Sequence, residues 1–210
     1  RGEITTHFLE NFMKTKVQKQ KFNDHFELDE EPSKDDCYYD ALELSGGGKK
    51  EIKEALRLLN IAREMDKDYV QTYIGFICVY SAIGDKKKID DAIKIAYEKT
   101  VKKFPKWPKQ MEWGWLENRA YMRAIQYMGD LYWDNGEIER AIELFRLLLK
   151  LNPGDNQGVR YEIAALYAGL SGKDVNRMTD EGNEKQDWSE QDNLVYKQNK
   201  KHKFWQEPSY

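Results

Sequence analysis

The sequence predicts an all-α fold, a short stack of helix–turn–helix repeats, and three observations carry that prediction. Residues 119–155 hold two facing apolar helical stripes separated by Asn135-Gly136. A weaker version of the same order recurs from Asp68 to Pro105. The composition is polar but core-forming: 34% of the 210 residues are charged, while 40% are apolar and 13% aromatic, enough for a packed interior.

The central unit states the pattern most fully. Ile125, Met128, Gly129 and Tyr132 share one helical face, Ala141, Phe145 and Leu148 form the facing stripe, and Asn152-Pro153-Gly154 ends the unit. Two antiparallel helices approach closely only where side chains are small, so Gly129 and Ala141 mark the crossing and Tyr132 and Phe145 fill the space around it. Gly129-x2-Tyr132, then Ala141-x3-Phe145, then Pro153 resembles the tetratricopeptide repeat, with Ile125 and Met128 in place of its Trp and Leu. That resemblance implies a short right-handed α-solenoid of tetratricopeptide-like repeats over residues 36–170. It also implies neighbouring units, because one hairpin leaves an apolar face uncovered.

The remaining elements follow in order. From Ile4 to Phe22 the apolar residues keep a helical period, which predicts an amphipathic helix that either covers the end of the array or engages a partner. An acidic linker follows, and residues 1–35 form the first segment. Cys37 to Leu44 reads as a short helix, Ser45-Gly46-Gly47-Gly48 as a hairpin turn, and Lys49 to Asp66 as a strong helix bearing Ala55 and Leu59. The glycines lack the following Gly-Lys-Ser/Thr of a phosphate loop. In the next unit Tyr73, Phe76, Ile77 and Tyr80 take the places of Ile125, Met128, Gly129 and Tyr132. If Ala92 matches Ala141, the turn is three residues longer, with Lys86, Lys87 and Lys88 as a solvated extension. Residues 107–115 hold Trp107, Trp113 and Trp115, which either staple an enlarged loop onto the helices or line an aromatic ligand pocket. After Pro153, Asp155 or Asn156 caps a helix reaching about Leu170, but its mate is missing: Asn176 stands where a small apolar residue belongs, and 180–183 cannot supply a packed stripe. Residues 171–210 therefore read as a polar C-terminal segment with a covering helix around Glu190 to Asn199.

Several function classes are disfavoured at once. The net charge of −3 offers no field for nucleic acid or an anionic membrane, although Lys197, Lys200, Lys201, Lys203, Phe204 and Trp205 do interleave basic and aromatic residues. Two distant cysteines and three scattered histidines predict no metal site and no cofactor, and they fit a reducing, cytoplasmic compartment. No apolar run approaches the length of a bilayer span. No nucleophile–base pair is visible, so the expectation is a non-enzyme; the alternative is an enzyme or small-ligand binder using Glu112 or Glu117 beside the tryptophan-rich loop.

The runs 117–124 and 151–161 also resemble an uncharacterised microbial subgroup of repeat proteins, which transfers no activity. Tetratricopeptide proteins use the inner face of their first helices to hold a partner segment. Carried onto this chain, the resemblance implies a scaffold that binds a protein or peptide through Arg123, Gln126, Tyr127, Asp130, Trp133 and Asp134, flanked by Arg160 and Tyr161. These positions hold no Lys and no Asn, so the carboxylate clamp that grips chaperone tails is not expected.

Overall fold

The computed structural model describes residues 32–208, and every regular element among them is an α-helix. In chain order these are α1 (Lys34–Leu44), α2 (Lys49–Met65), α3 (Val70–Ala82), α4 (Lys86–Lys103), α5 (Leu116–Asp134), α6 (Ile138–Leu151), α7 (Val159–Ala168), α8 (Gly172–Lys185) and α9 (Ser189–His202). The amphipathic helix expected over 4–22 lies outside the described residues. None of the described helices is long and apolar enough to cross a membrane.

The first helix starts earlier than the acidic linker suggested. Ser33 and Asp36 form a reciprocal cap: the Asp36 N–H donates to Ser33 Oγ at 3.2 Å, and the Ser33 N–H donates to the Asp36 carboxylate at 2.9 Å. Asp35 and Asp36 therefore occupy the first turn, where the helix dipole favours negative charge.

Three hairpins follow one another. α1 packs on α2, α3 on α4 and α5 on α6, while α1 touches α3 and α3 touches α5. Missing side chains set two of the close approaches. A Cβ on Gly75 of α3 would lie 2.5 Å from Leu59 Cδ2 of α2, and one on Gly129 of α5 would lie 2.5 Å from Phe145 Cε1 of α6. One buried cluster then runs without a break from Tyr38 to Phe204.

The lysine extension expected after Gly84 does not exist. In the α3–α4 turn the Asp85 N–H donates to Tyr80 O at 3.0 Å, and in the α5–α6 turn the Glu137 N–H donates to Tyr132 O at 2.8 Å. Gly84 and Gly136 both adopt positive φ, at 69° and 77°. The turns are thus equivalent, and the residue matching Ala141 is Ile89, with Ile93 matching Phe145. Lys86, Lys87 and Lys88 form the first turn of α4. Cations are disfavoured at a helix N-terminus, but Asp85 caps the Lys88 N–H and pairs with Lys88 at 3.0 Å. Asp90 and Asp91 pair with Lys86 and Lys87 one turn on.

The C-terminal region departs furthest from expectation. α7 packs mainly on α6 and α9, and the mate read as missing because of Asn176 and residues 180–183 is present as α8. It buries Met178 and sets Val175 against the core, and a small residue and polar ties join it to the next element. A Cβ on Gly182 would lie 2.6 Å from Trp188 Cδ1, Gln191 Nε2 donates to Thr179 Oγ1 at 2.7 Å, and Arg177 bridges Glu181 and Glu190 at 2.9 and 3.0 Å. The covering helix expected around 190–199 is α9, seated on α7.

Candidate partner-binding face

The face is carried by α5, whose i, i+3, i+4 spacing aligns Arg123, Gln126, Tyr127, Asp130, Trp133 and Asp134. The structure divides these residues in two. Gln126, Tyr127, Asp130 and Trp133 are buried, at 1%, 3%, 6% and 8% exposure, whereas Arg123 and Asp134 are half-buried. Trp133 serves the core: its ring stands edge-on to Phe145 at 6.5 Å. The Arg123 guanidinium lies 5.9 Å from the centroid of Trp113, which also carries Arg119 at 5.1 Å.

Arg160 and Tyr161 come together at the start of α7. Asp155, at a φ of 47°, turns its carboxylate under the helix: Oδ1 accepts the Val159 N–H at 2.8 Å, and Oδ2 accepts the Arg160 N–H at 3.1 Å and Arg160 Nη1 at 2.9 Å. Burial raises the Asp155 carboxyl above its ordinary range against the pull of these hydrogen bonds. Arg160 Nη2 donates to the Tyr161 hydroxyl at 2.9 Å, and that hydroxyl donates to Asp192 of α9 at 3.0 Å. The guanidinium also lies over Trp205, whose indole N–H donates to Pro153 O at 2.9 Å. Arg160 and Tyr161 are therefore tied into the structure and half exposed at once.

A polar chain joins the two halves of the face. Gln157 Nε2 donates to Gln126 Oε1 at 2.6 Å, and Gln126 Nε2 donates to Glu162 Oε1 at 3.0 Å. Asp130 Oδ1 and Glu162 Oε2 are buried without a hydrogen-bond partner. Burial pushes both carboxyls well above the carboxylate range, helped by the charge of Asp134 beside Asp130 and of Asp130 beside Glu162. Asp134 is raised by burial too, with Lys86 drawing it down and Asp90 pushing it up. Sequence reasoning missed Gln157 and Glu162. The available signal was Glu162 itself, the one carboxylate in an otherwise mostly apolar helix.

The tryptophan-rich loop splits likewise. Met111 is buried and its N–H donates to Leu151 O at 2.7 Å, while Trp107 stacks on Phe104 at 6.0 Å. These contacts staple the loop. Trp115 and Leu116 instead face outward at 63% and 59% exposure, and Glu112 accepts the Trp115 indole N–H at 3.1 Å. In the C-terminal tail Phe204 is buried at 6% and Trp205 is half-buried, so the aromatic half of the basic-aromatic run belongs to the packing. Among the described residues no group of three or more His, Cys, Asp or Glu side chains is placed to hold a metal ion. The chain matches no protein-family model, no curated protein and no solved structure.

Proposed function

We propose that the protein is a non-catalytic scaffold, a short right-handed α-solenoid of tetratricopeptide-like hairpins that holds a peptide segment of a protein partner. The observation that carries this reading is the order of packing: three successive hairpins whose first helices, α1, α3 and α5, touch in sequence. The matching hydrogen bonds of the α3–α4 and α5–α6 turns support a repeated unit. Because Gln126, Tyr127, Asp130 and Trp133 are buried, the contact surface in this reading is the half-exposed set Arg123, Asp134, Arg160 and Tyr161. Cations and a carboxylate spaced along this surface suit a peptide carrying both charges. Two buried free thiols, Cys37 and Cys78, fit the cytoplasm as its compartment.

A second reading, a small-ligand or enzymatic site at 107–115, draws support only from the outward Trp115 and Leu116. Glu112 and Glu117 are exposed there, without the burial that usually tunes an acid or base. The two readings separate experimentally. Peptides selected from a random display library against the whole protein should lose about tenfold in affinity with Asp134→Lys or Arg123→Gln and be indifferent to Trp115→Ala. Selection that yields no binder, or binders sensitive only to Trp115→Ala, would count against the scaffold reading.

A further inference from the structure

The pair Asp130 and Glu162 has no role in the partner surface just described. Asp130 lies one turn beyond Gln126 on α5, and Glu162 lies in the first turn of α7. Gln126 to Glu162 is a hydrogen-bonded bridge between those two helices, itself held by Gln157. Gln126 and Gln157 are 1% and 8% exposed, and Glu162 is half-buried, so the glutamine end of the bridge is screened from water. At its edge two carboxyl oxygens, Asp130 Oδ1 and Glu162 Oε2, are shut away with no donor. An ionised carboxylate with an oxygen so placed bears a desolvation cost that a neutral carboxyl largely avoids, and at Glu162 the Gln126 hydrogen bond offsets part of it.

The charges around the pair do not relieve it. On α5 the neighbours are Arg123, Tyr127 and Asp134; on α7 and its entry they are Asp155, Arg160 and Tyr161. Beyond them stand Asp192 of α9, Lys86 and Asp90 of α4, Cys78 of α3 and Tyr38 of α1. The cations are engaged elsewhere. Arg160 is held by Asp155, Lys86 by Asp90 at 3.2 Å, and Arg123 lies against Trp113 and Tyr38. The charges that press on the pair are those of Asp134, Asp155 and each other, all negative.

We propose that Asp130 and Glu162 form a proton-operated latch: neutral, they let α7, packed on α6, keep its hydrogen-bonded tie to α5 through Gln126, and ionised, they break that tie and loosen α7 together with the α9 packed on it. The sign follows from linkage. Both carboxyls take up protons more readily folded than unfolded, so the unfolded or opened form ionises first as pH rises. Stability of the α7–α9 unit is then highest in acid and falls from the ordinary carboxylate range up through the raised folded values. Opening would uncover Gln126 and Asp130 on the face of α5, so the latch would gate that face whether or not a partner binds there.

Hydrogen exchange of the whole protein, corrected for intrinsic rates, tests this at about pH 5.5 and about pH 8.5. Protection over 159–168 and 189–202 should fall about tenfold more than over 49–65 between the two conditions. In Asp130→Asn, and in Glu162→Gln, which keeps the Oε1 acceptor for Gln126, that difference should shrink to about twofold or less. An equal fall in all segments, or a differential fall that persists in Glu162→Gln, would overturn the latch. Carbon-13 NMR of the wild-type carboxyls decides the matter if Asp130→Asn does not fold: titration of both groups in the ordinary carboxylate range would also overturn it.

Discussion

At the scale of single residues, Gly129 and Asp155 show how little chemistry sets the central crossing. Gly in mid-helix costs about 1 kcal/mol relative to Ala, so Gly129→Ala would stabilise the protein if space were the only neutral factor. It is not neutral: the added methyl would meet Phe145 Cε1, Cδ1 and Cζ at 2.5, 3.0 and 3.1 Å, and Phe145 is fully buried. Overpacking should win by about 1–2 kcal/mol net, read as a lower urea midpoint at unchanged slope. Asp155 combines a left-handed backbone with a cap that accepts two N–H groups and one guanidinium. Asp155→Ala loses the cap and strains the backbone, so we expect a loss of about 2–3 kcal/mol in chemical denaturation. Asp155→Asn keeps an acceptor and tolerates the same φ, and it should recover more than half of that loss. The small residue at Gly129 and a cap at Asp155 were both legible in the sequence, because each depends on neighbours in the same hairpin or turn. The paired carboxyls were not, since Asp130 and Glu162 meet only through the packing of separate helices.

At the scale of elements, legibility followed the same division between local and distant causes. The strong amphipathic period of α2 and α6 and the Gly turns set those helices without help from afar. The α3–α4 register was misread because Ala92 is a small residue on the correct face one turn too late; the turn hydrogen bonds select Ile89 instead. α8 was hard to read because only Met178 and Val175 supply apolar packing, and Gly182, Thr179 and Arg177 gain their role from Trp188, Gln191 and Glu190 at and beyond the start of α9. The join between α6, α7 and α9 is likewise non-local. Arg146 of α6 donates to the Tyr167 hydroxyl at 2.9 and 2.8 Å and to His202 O at 2.9 Å, and Tyr167 stacks on His202 at 3.8 Å. Arg146→Ala removes donors to two elements at once and leaves the Tyr167 hydroxyl and the His202 carbonyl without them. Thermal unfolding should shift down by an amount equivalent to about 1–3 kcal/mol. Arg146→Lys should recover little of it, since a single ammonium cannot copy the planar fork that reaches both acceptors.

At the scale of the whole molecule, the question is whether the described helices behave as additive units or as one cooperative body. A repeat array with only nearest-neighbour contacts can lose a terminal element and leave the rest near its original stability. Here the hydrophobic cluster is continuous from Tyr38 to Phe204, and α9 and its tail return to cover α7 while Trp205 reaches back to Pro153. Asn199 locks that return: its side chain accepts the Phe204 and Trp205 N–H groups at 2.9 Å and donates to Trp205 O at 2.7 Å. Removing residues 187–210 would strip Val195, Phe204 and Trp205 from α7, a loss of about 4–8 kcal/mol from area alone. That is comparable with the whole stability of an ordinary domain. The full chain should therefore unfold in a single transition, with tryptophan fluorescence and helical circular dichroism coincident. The truncated chain should show a separate early transition or fail to fold, and a truncated protein with the full chain's midpoint would mean that α9 is a passive cover.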